Sequence, residues 1–153
     1  MKKILCCLFA VLLLLTLSLP AFAEEDIRVM LDAEQITFDV PPQIIKGRTM
    51  VPIRAIFEAL GAEVDWDAAT RTVTATIDDY VVHCTIDKTT MLVCGERVEM
   101  DVAPVIVEGR TLMPARFAAE AFVCTVGWDG PTRTVYIVSN GYTDTGDDMH
   151  GGQ

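Results

Sequence analysis

Basic residues are scarce in this chain of 153 residues. Only 12 lysines and arginines stand against 22 aspartates and glutamates, which gives a formal net charge of −10. A protein this acidic repels nucleic acids and anionic lipid surfaces, so neither is expected as a partner. Long hydrophobic runs are also scarce. Residues 4–19 form one, and no later run approaches the ~20 residues that a membrane-spanning helix needs.

The hydrophobic run belongs to an N-terminal segment with the features of a secretory signal peptide. Two lysines precede the run, and Ala21-Phe22-Ala23 places small residues at a cleavage site behind it. This order predicts a signal peptide over residues 1–23 and no membrane insertion after its cleavage. A membrane anchor is less favoured, because the run is short and the cleavage site follows directly. Residues 24–153 then carry a net charge of −12, since two basic residues are removed, and their number suits one domain.

Cysteines are too few for a disulfide framework. Beyond the predicted cleavage site only Cys84, Cys94 and Cys124 remain, and an odd number permits at most one bridge with one thiol left over. His83 stands beside Cys84, but the spacing does not resemble that of a metal-binding knuckle. We therefore expect small buried thiols, no metal site and no cofactor.

What the sequence does contain is an internal repeat. The chain aligns with itself without a gap when residues 27–76 are placed on residues 89–138. Such self-similarity predicts two repeat units, about 27–78 and 89–138, built by an internal duplication. One unit is too small to bury a sufficient core, so the two are expected to share a sheet in one cooperative domain. Identical pairs include Asp39 and Asp101, Arg48 and Arg110, Arg54 and Arg116, Trp66 and Trp128, and Asp67 and Asp129.

Each unit contains the same predicted elements. Alternating apolar and polar residues predict the strands. A loop is expected from Pro42 to Thr49, with Gly47 at a positive φ, and Asp67 suits a turn between the last two strands. A further strand over residues 78–86 is predicted to join the units and to pair with residues 90–93. The strands of the first unit are predicted over residues 27–31, 35–40, 64–66 and 71–77.

A short helix is predicted after the loop. Pro52 suits its first position, because proline lacks the N–H that would be unsatisfied there, and Gly61 suits a left-handed cap at its end. The second unit differs, because alanines thin its apolar stripe and Val123 replaces the capping glycine. The stripes are Ile53, Ile56, Phe57 and Leu60 in the first helix and Ala115, Ala118, Ala119 and Phe122 in the second.

The motifs of each unit resemble a known family. Pro-x-Ile-x-x-Gly-Arg-Thr-x-x-Pro-x-Arg and Trp-Asp-x-x-Thr-Arg-Thr-Val occur twice, in that order, within residues 27–138. They are similar to the copper amine oxidase N-terminal-like domain, which is named after the stalk domain of a bacterial amine oxidase. The resemblance implies an α+β fold, with antiparallel strands packed against the two short helices over residues 24–138. It also implies an exported or surface protein of a Gram-positive-type bacterium.

The resemblance does not imply oxidase activity. In the namesake enzyme that activity belongs to a separate catalytic domain, which needs three histidine ligands for copper and a tyrosine preceded by asparagine. This chain has two histidines, His83 and His150, and none of its tyrosines follows an asparagine. No other catalytic motif is present, so no enzyme and no catalytic residues are expected. The last residues, 139–153, are acidic and rich in glycine, which predicts a disordered tail rather than a Ca²⁺ or Cu²⁺ site.

The repeated arginines leave two interpretations open. They are candidate binding residues for an acidic glycan or a peptide carboxylate, but a structural role that braces the fold is favoured. Arg54 is one helical turn from Glu58 and is predicted to pair with it, and Arg48 is expected to satisfy loop carbonyls or Asp39. The four arginines are Arg48, Arg54, Arg110 and Arg116.

The repeated tryptophans also leave two interpretations open. Trp66 and Trp128 are either sugar-stacking platforms or core residues. The alternation along their strands, opposite an apolar helix stripe, favours the core.

Together these features predict a non-catalytic structural or interaction module that is secreted or held at the cell surface. Its expected partner is an unidentified envelope protein or glycan. The alternative is a secreted ligand-binding or inhibitor protein that recognises a carbohydrate or a peptide.

Overall fold

The computed structural model describes residues 25–140. The predicted signal peptide, and the tail beyond residue 140, lie outside the described residues. Within 25–140 the chain forms strands and two short helices, and no helix there is long and apolar enough to cross a membrane. The α+β class of mostly antiparallel strands with two short helices is therefore confirmed.

Both halves of the chain carry the same order of elements. A linking strand, β7 (Tyr80–Thr85), separates them. The first half comprises β1 (Arg28–Leu31), β2 (Glu34–Ile36), β3 (Gln43–Ile45), β4 (Arg48–Pro52), α1 (Ile53–Ala59), β5 (Glu63–Asp67) and β6 (Thr72–Ile77). The second half comprises β8 (Thr90–Val93), β9 (Glu96–Glu99), β10 (Val105–Val107), β11 (Arg110–Pro114), α2 (Ala115–Glu120), β12 (Thr125–Asp129) and β13 (Thr134–Val138).

Each of three sheets combines strands from both halves. Sheet A has the order β12-β13-β1-β2, sheet B has β10-β11-β4-β3, and sheet C has β5-β6-β7-β8-β9. The pairing of β1 with β13 is parallel, and the other pairings among the described strands are antiparallel. The predicted linking strand is confirmed, since β7 pairs with β8 and also with β6. Each sheet thus contains one hairpin from the first half and one from the second half.

The middle of sheet B relates the two halves by a local two-fold axis. Here β4 and β11 run antiparallel, and Val51 lies opposite Met113, its own equivalent in the second half. Two ion pairs cross the same boundary reciprocally. Arg110 pairs with Asp39 of the first half, and Arg48 of the first half pairs with Asp101. Of the two partners expected for Arg48, the loop carbonyls are confirmed, since its Nη1 donates to the Gly47 carbonyl at 3.5 Å. Asp39 is wrong, because it pairs with Arg110 of the other half.

The main hydrophobic core lies between the helices and the three sheets. The predicted stripe of α1 is buried there, with Ile53, Ile56 and Phe57 nearly or fully inaccessible. The Phe57 ring meets the ring of Phe122 edge to face, with 5.0 Å between centroids. A second, smaller cluster covers the other face of sheet B, so this sheet is buried on both sides near the axis.

The predicted loop after Pro42 is instead a β-hairpin. Strands β3 and β4 flank a two-residue turn at Lys46 and Gly47, whose φ angles are 50° and 74°. Positive φ at both central residues is the geometry of tight hairpins, so the predicted positive φ of Gly47 is confirmed. The hairpin was missed because β3 has only three residues and Lys-Gly is a weak turn signal. Pro52 accordingly ends β4 and precedes the helix, instead of occupying its first position.

Both helices end in the same backbone motif. After α1, the Gly61 N–H donates to the Glu58 carbonyl and the Ala62 N–H to the Phe57 carbonyl. These two bonds define a Schellman motif around a residue of positive φ, here Gly61 at 91° as predicted. After α2, Val123 occupies the equivalent position at φ 58° with equivalent bonds. A β-branched residue in this conformation is strained.

Replacing Val123 by glycine should stabilise the protein. The left-handed conformation costs an ordinary residue about 1–2 kcal/mol, whereas glycine adds chain entropy worth roughly 0.5–1 kcal/mol to the unfolded state. The Val123 side chain is exposed, so little burial is lost. We expect Val123→Gly to raise the free energy of unfolding by about 0.5–1 kcal/mol in urea denaturation. Gly61→Ala is the matched control and should lower it. An unchanged or lowered stability of Val123→Gly would contradict this explanation of the cap.

Candidate functional site

The two tryptophans are exposed, so the prediction that they are core residues is wrong. Trp66 has 40% and Trp128 has 49% of its surface accessible. The predicted strand face was nevertheless right, because Trp66 lies opposite buried Val73 and Trp128 opposite buried Val135. A helix of seven residues spans about 10 Å, whereas the five-residue strand β5 spans about 17 Å. Only the first residues of the helix, Ile53 and Arg54, line the groove beside Trp66, and they leave the indole ring partly exposed.

A groove of about 380 Å³ opens beside Trp66, at the margin of the main core. Its lining combines both halves of the chain: Trp66 on β5, Pro52 and Ile53 at the start of α1, and Ile106 and Thr111 on sheet B. Ile106 is 43% exposed. It pairs with Thr111 across the β10–β11 hairpin. The groove is thus the place where an apolar surface between two sheets reaches solvent.

The repeat relates Trp66 and Ile106 to an equivalent pair, one from each half. Trp128 corresponds to Trp66, and Ile44 on β3 corresponds to Ile106 on β10. Ile44 is 50% exposed, as accessible as its counterpart. Large apolar side chains are usually exposed singly, and paired ones mark contact surfaces. The isoleucines were not selected from the sequence, although their recurrence within the repeated motif was a usable signal.

All four repeated arginines pair with carboxylates. Arg54 Nη1 lies 3.3 Å from Glu58 Oε1, as predicted, and also donates to the Val64 carbonyl at 3.0 Å. Arg116 Nε lies 2.9 Å from Glu120 Oε1. Most of these side chains are about half exposed, and such pairs add little stability. The carboxylates neutralise the arginine side chains, including Arg54 and Arg110, which line the groove.

The two ion pairs that cross between the halves, Arg110–Asp39 and Arg48–Asp101, also favour the ionised form of their carboxyl groups. The hydrogen bond from Arg110 lowers the pKa of the Asp39 carboxyl, and the hydrogen bond from Arg48 lowers the pKa of the Asp101 carboxyl. Arg110 and Arg54 both line the groove. The arrangement therefore offers donors and acceptors in balanced pairs rather than a net positive charge for an anionic ligand.

The thiols and the imidazole do not form a catalytic pair. Cys84 is fully buried, and burial raises the pKa of its thiol to about 12. His83 points to the other face of β7, where its Nδ1 lies 3.0 Å from the Thr74 hydroxyl. Burial also raises the pKa of Cys124, whereas Cys94 is exposed in a turn. Within residues 25–140 the cysteines are unbridged, and no group of three potential ligands converges on a metal position.

A larger hollow of about 810 Å³ lies at the opposite ends of the helices. Leu60, Tyr80 and Phe122 form its apolar part, and Asp78 and Asp79 stand at its rim. Tyr80 and Phe122 contact each other with 5.7 Å between ring centroids. The residues that line the hollow include equivalent positions of the two halves, such as Leu60 and Phe122, but no arginine, lysine or tryptophan.

Comparison with known proteins identifies one family. The family model of the copper amine oxidase N-terminal domain matches residues 30–137, which is most of the chain and nearly all of its described part. No curated protein matches the chain. The matched region contains both tryptophans and all four paired arginines.

Proposed function

We propose that this chain, which belongs to the copper amine oxidase N-terminal domain family, is a non-catalytic structural or interaction module of the cell envelope or the extracellular space. The family match carries the proposal, since this domain is an accessory part of the oxidases and lies apart from their catalytic domain. The chemistry of the described residues supports it. The buried thiols are held protonated and the arginines are occupied by carboxylates.

The proposed organisation has three parts: a signal peptide over residues 1–23, one domain over 24–138, and an acidic tail over 139–153. We attribute the domain to an internal duplication. The ungapped self-alignment of residues 27–76 with residues 89–138 supports this origin, as do the shared order of elements and the local axis between Val51 and Met113. A Gram-positive-type bacterium is the proposed source, on the basis of the family resemblance.

Export can be tested directly on the protein's N-terminus. Expressed from its full sequence in a secreting Gram-positive host, the protein should appear in the medium or wall fraction. Its N-terminal sequence should begin at Glu24, because Ala21 and Ala23 provide the small residues of the cleavage site. Replacing Ala23 with a bulky residue, as in Ala23→Phe, should cause the uncleaved form to accumulate. An intact N-terminus in the cytoplasmic fraction of the unaltered chain would refute export.

The lack of catalysis can be tested separately. The protein, loaded with excess Cu²⁺ and then dialysed, should retain less than one copper per chain and release no peroxide from simple primary amines. The physical reason is that the chain has neither three histidine ligands nor a tyrosine that follows an asparagine. Metal analysis together with a peroxide assay decides the question. One tightly bound copper accompanied by turnover would contradict the proposal.

A second candidate function is supported by a specific observation. The exposure of Trp66 and Trp128, in place of the expected burial, favours recognition of a carbohydrate or a peptide. In this form the module is a secreted ligand-binding or inhibitor protein. The two candidates are compatible, since an envelope module can be anchored by the ligand that it binds.

A further inference from the structure

We propose that Trp66 and Trp128 are two equivalent stacking platforms for a neutral polysaccharide with a repeating structure. The proposal rests on the second candidate function and specifies its ligand and its site. It does not depend on the lack of catalysis, which is tested by other measurements.

The position of the indole rings suits sugar stacking. Both tryptophans of the chain are nearly half exposed on strand faces that otherwise point into the core. Ile106 lines the same groove as Trp66, and Ile44, its equivalent in the other half, is likewise exposed. A flat aromatic face with an apolar neighbour suits the apolar face of a sugar ring, and the indole N–H remains able to donate to a hydroxyl group.

The polar groups beside the Trp66 groove select for a neutral ligand. Arg54 and Arg110 line the groove, and both are neutralised by Glu58 and Asp39. An anionic ligand would have to compete with these carboxylates and approach an acidic chain. Sugar hydroxyl groups both donate and accept, so they can bond to Thr111 in the groove without breaking an ion pair.

The local axis selects for a ligand that repeats. Arg48 and Arg110, Ile44 and Ile106, and the two tryptophans each occupy equivalent positions in the two halves. A single chain therefore presents the same chemistry twice. A polymer with identical units offers the same partner to each platform, and one long enough to span both gains avidity without any new kind of interaction.

An extended peptide is the competing occupant. Both β5 and β10 are edge strands, whose free backbone groups could accept an added strand. The five-residue strand β5 could form such backbone bonds, but strand addition does not require two exposed tryptophans, and this favours the glycan. Peptide binding instead predicts that no neutral polymer retards the protein.

Affinity electrophoresis of the chain from residue 24 tests the proposal. The gels contain a neutral polymer, either mixed-linkage β-glucan, xylan, mannan or soluble glycol chitin, and one gel contains anionic polygalacturonate. We expect retardation by at least one neutral polymer and none by polygalacturonate. Trp66→Ala or Trp128→Ala should weaken the apparent affinity by about a hundredfold, because each removes bivalency, and the double variant should migrate as in a gel without polymer.

Tyr136→Ala is the matched control. Tyr136 is 45% exposed but lies on the other face of sheet A, because its neighbour Val135 is the residue opposite Trp128. This variant should bind as the unaltered protein does, and thermal melts should show that all variants remain folded. The proposal is overturned if no neutral polymer retards the protein, or if the tryptophan variants bind normally. Equal weakening by Tyr136→Ala, or retardation only by polygalacturonate, would also overturn it.

Discussion

Residues 24–78 expressed alone should be unfolded or associate, although they contain one complete repeat unit. The reason is the exchange of strands between the halves. In this fragment β1 loses its partner β13, β4 loses β11, and β6 loses β7. The helix α1 also loses the contacts of Phe57 with the second half, including the ring of Phe122. What remains is isolated two-stranded pieces with one open face, which are marginal in water.

Circular dichroism and sedimentation of the fragment measure this directly. The spectrum should be that of an unfolded chain at low concentration, and any order should appear only with association. Adding the complementary fragment, residues 79–138, should restore strand signal as the two pieces pair. A stably folded, monomeric first unit would show that the repeats are independent and that the shared core is not needed.

Phe57→Ala should cause the largest loss of stability among single substitutions in the core. The ring is fully buried in the main core and lies between α1 and the second half. Truncating a buried aromatic ring typically costs about 3–5 kcal/mol, through lost burial and the cavity that remains. Urea denaturation of the chain from residue 24 should show a loss in this range.

Trp66→Ala provides the comparison for that result. Tryptophan is the larger side chain, but it is 40% exposed at the margin of the core, so its removal leaves an open groove rather than a closed cavity. We expect a loss of about 1–2 kcal/mol, since only part of its apolar surface is buried. If Trp66→Ala were as destabilising as Phe57→Ala, the tryptophan would be a core residue after all.

Local features of this fold could be predicted from the sequence. The stripe of Ile53, Ile56 and Phe57, the cap at Gly61 and the turn at Asp67 each depend on residues a few positions apart. In that turn the Asp67 carboxylate accepts from the Ala69 N–H at 2.9 Å. Such contacts can be predicted because the residues that make them stand at fixed short spacings in the sequence.

Contacts between the halves could not be predicted in the same way. The hairpin at Lys46 and Gly47 has strands too short for alternation to be recognised. The partners of Arg48 and Arg110 follow from the axis, and a repeat in sequence does not reveal whether its units pair internally or exchange partners. The repeated motif therefore identified the charged residues and the bond of Arg48 to a loop carbonyl, but not its carboxylate partner Asp101 in the other half.

The sequence offered Trp66 and Trp128 as either stacking platforms or core residues, and it favoured the wrong one. Alternation assigned Trp66 and Trp128 to the correct strand faces, opposite Val73 and Val135. It could not show that the neighbouring elements leave both indole rings partly exposed. Burial of a strand residue depends on what lies above it, and that is a tertiary property.

The two halves form one cooperative unit, and each half carries one exposed tryptophan. Trp128→Phe leaves Trp66 as the probe of the first half, and Trp66→Phe leaves Trp128 as the probe of the second. Urea unfolding of both variants should be followed by fluorescence and by circular dichroism. We predict that, within each variant, the fluorescence midpoint coincides with the circular dichroism midpoint, as in two-state unfolding. A fluorescence transition separated from the circular dichroism transition would show that one half unfolds before the other, and would contradict the single cooperative unit.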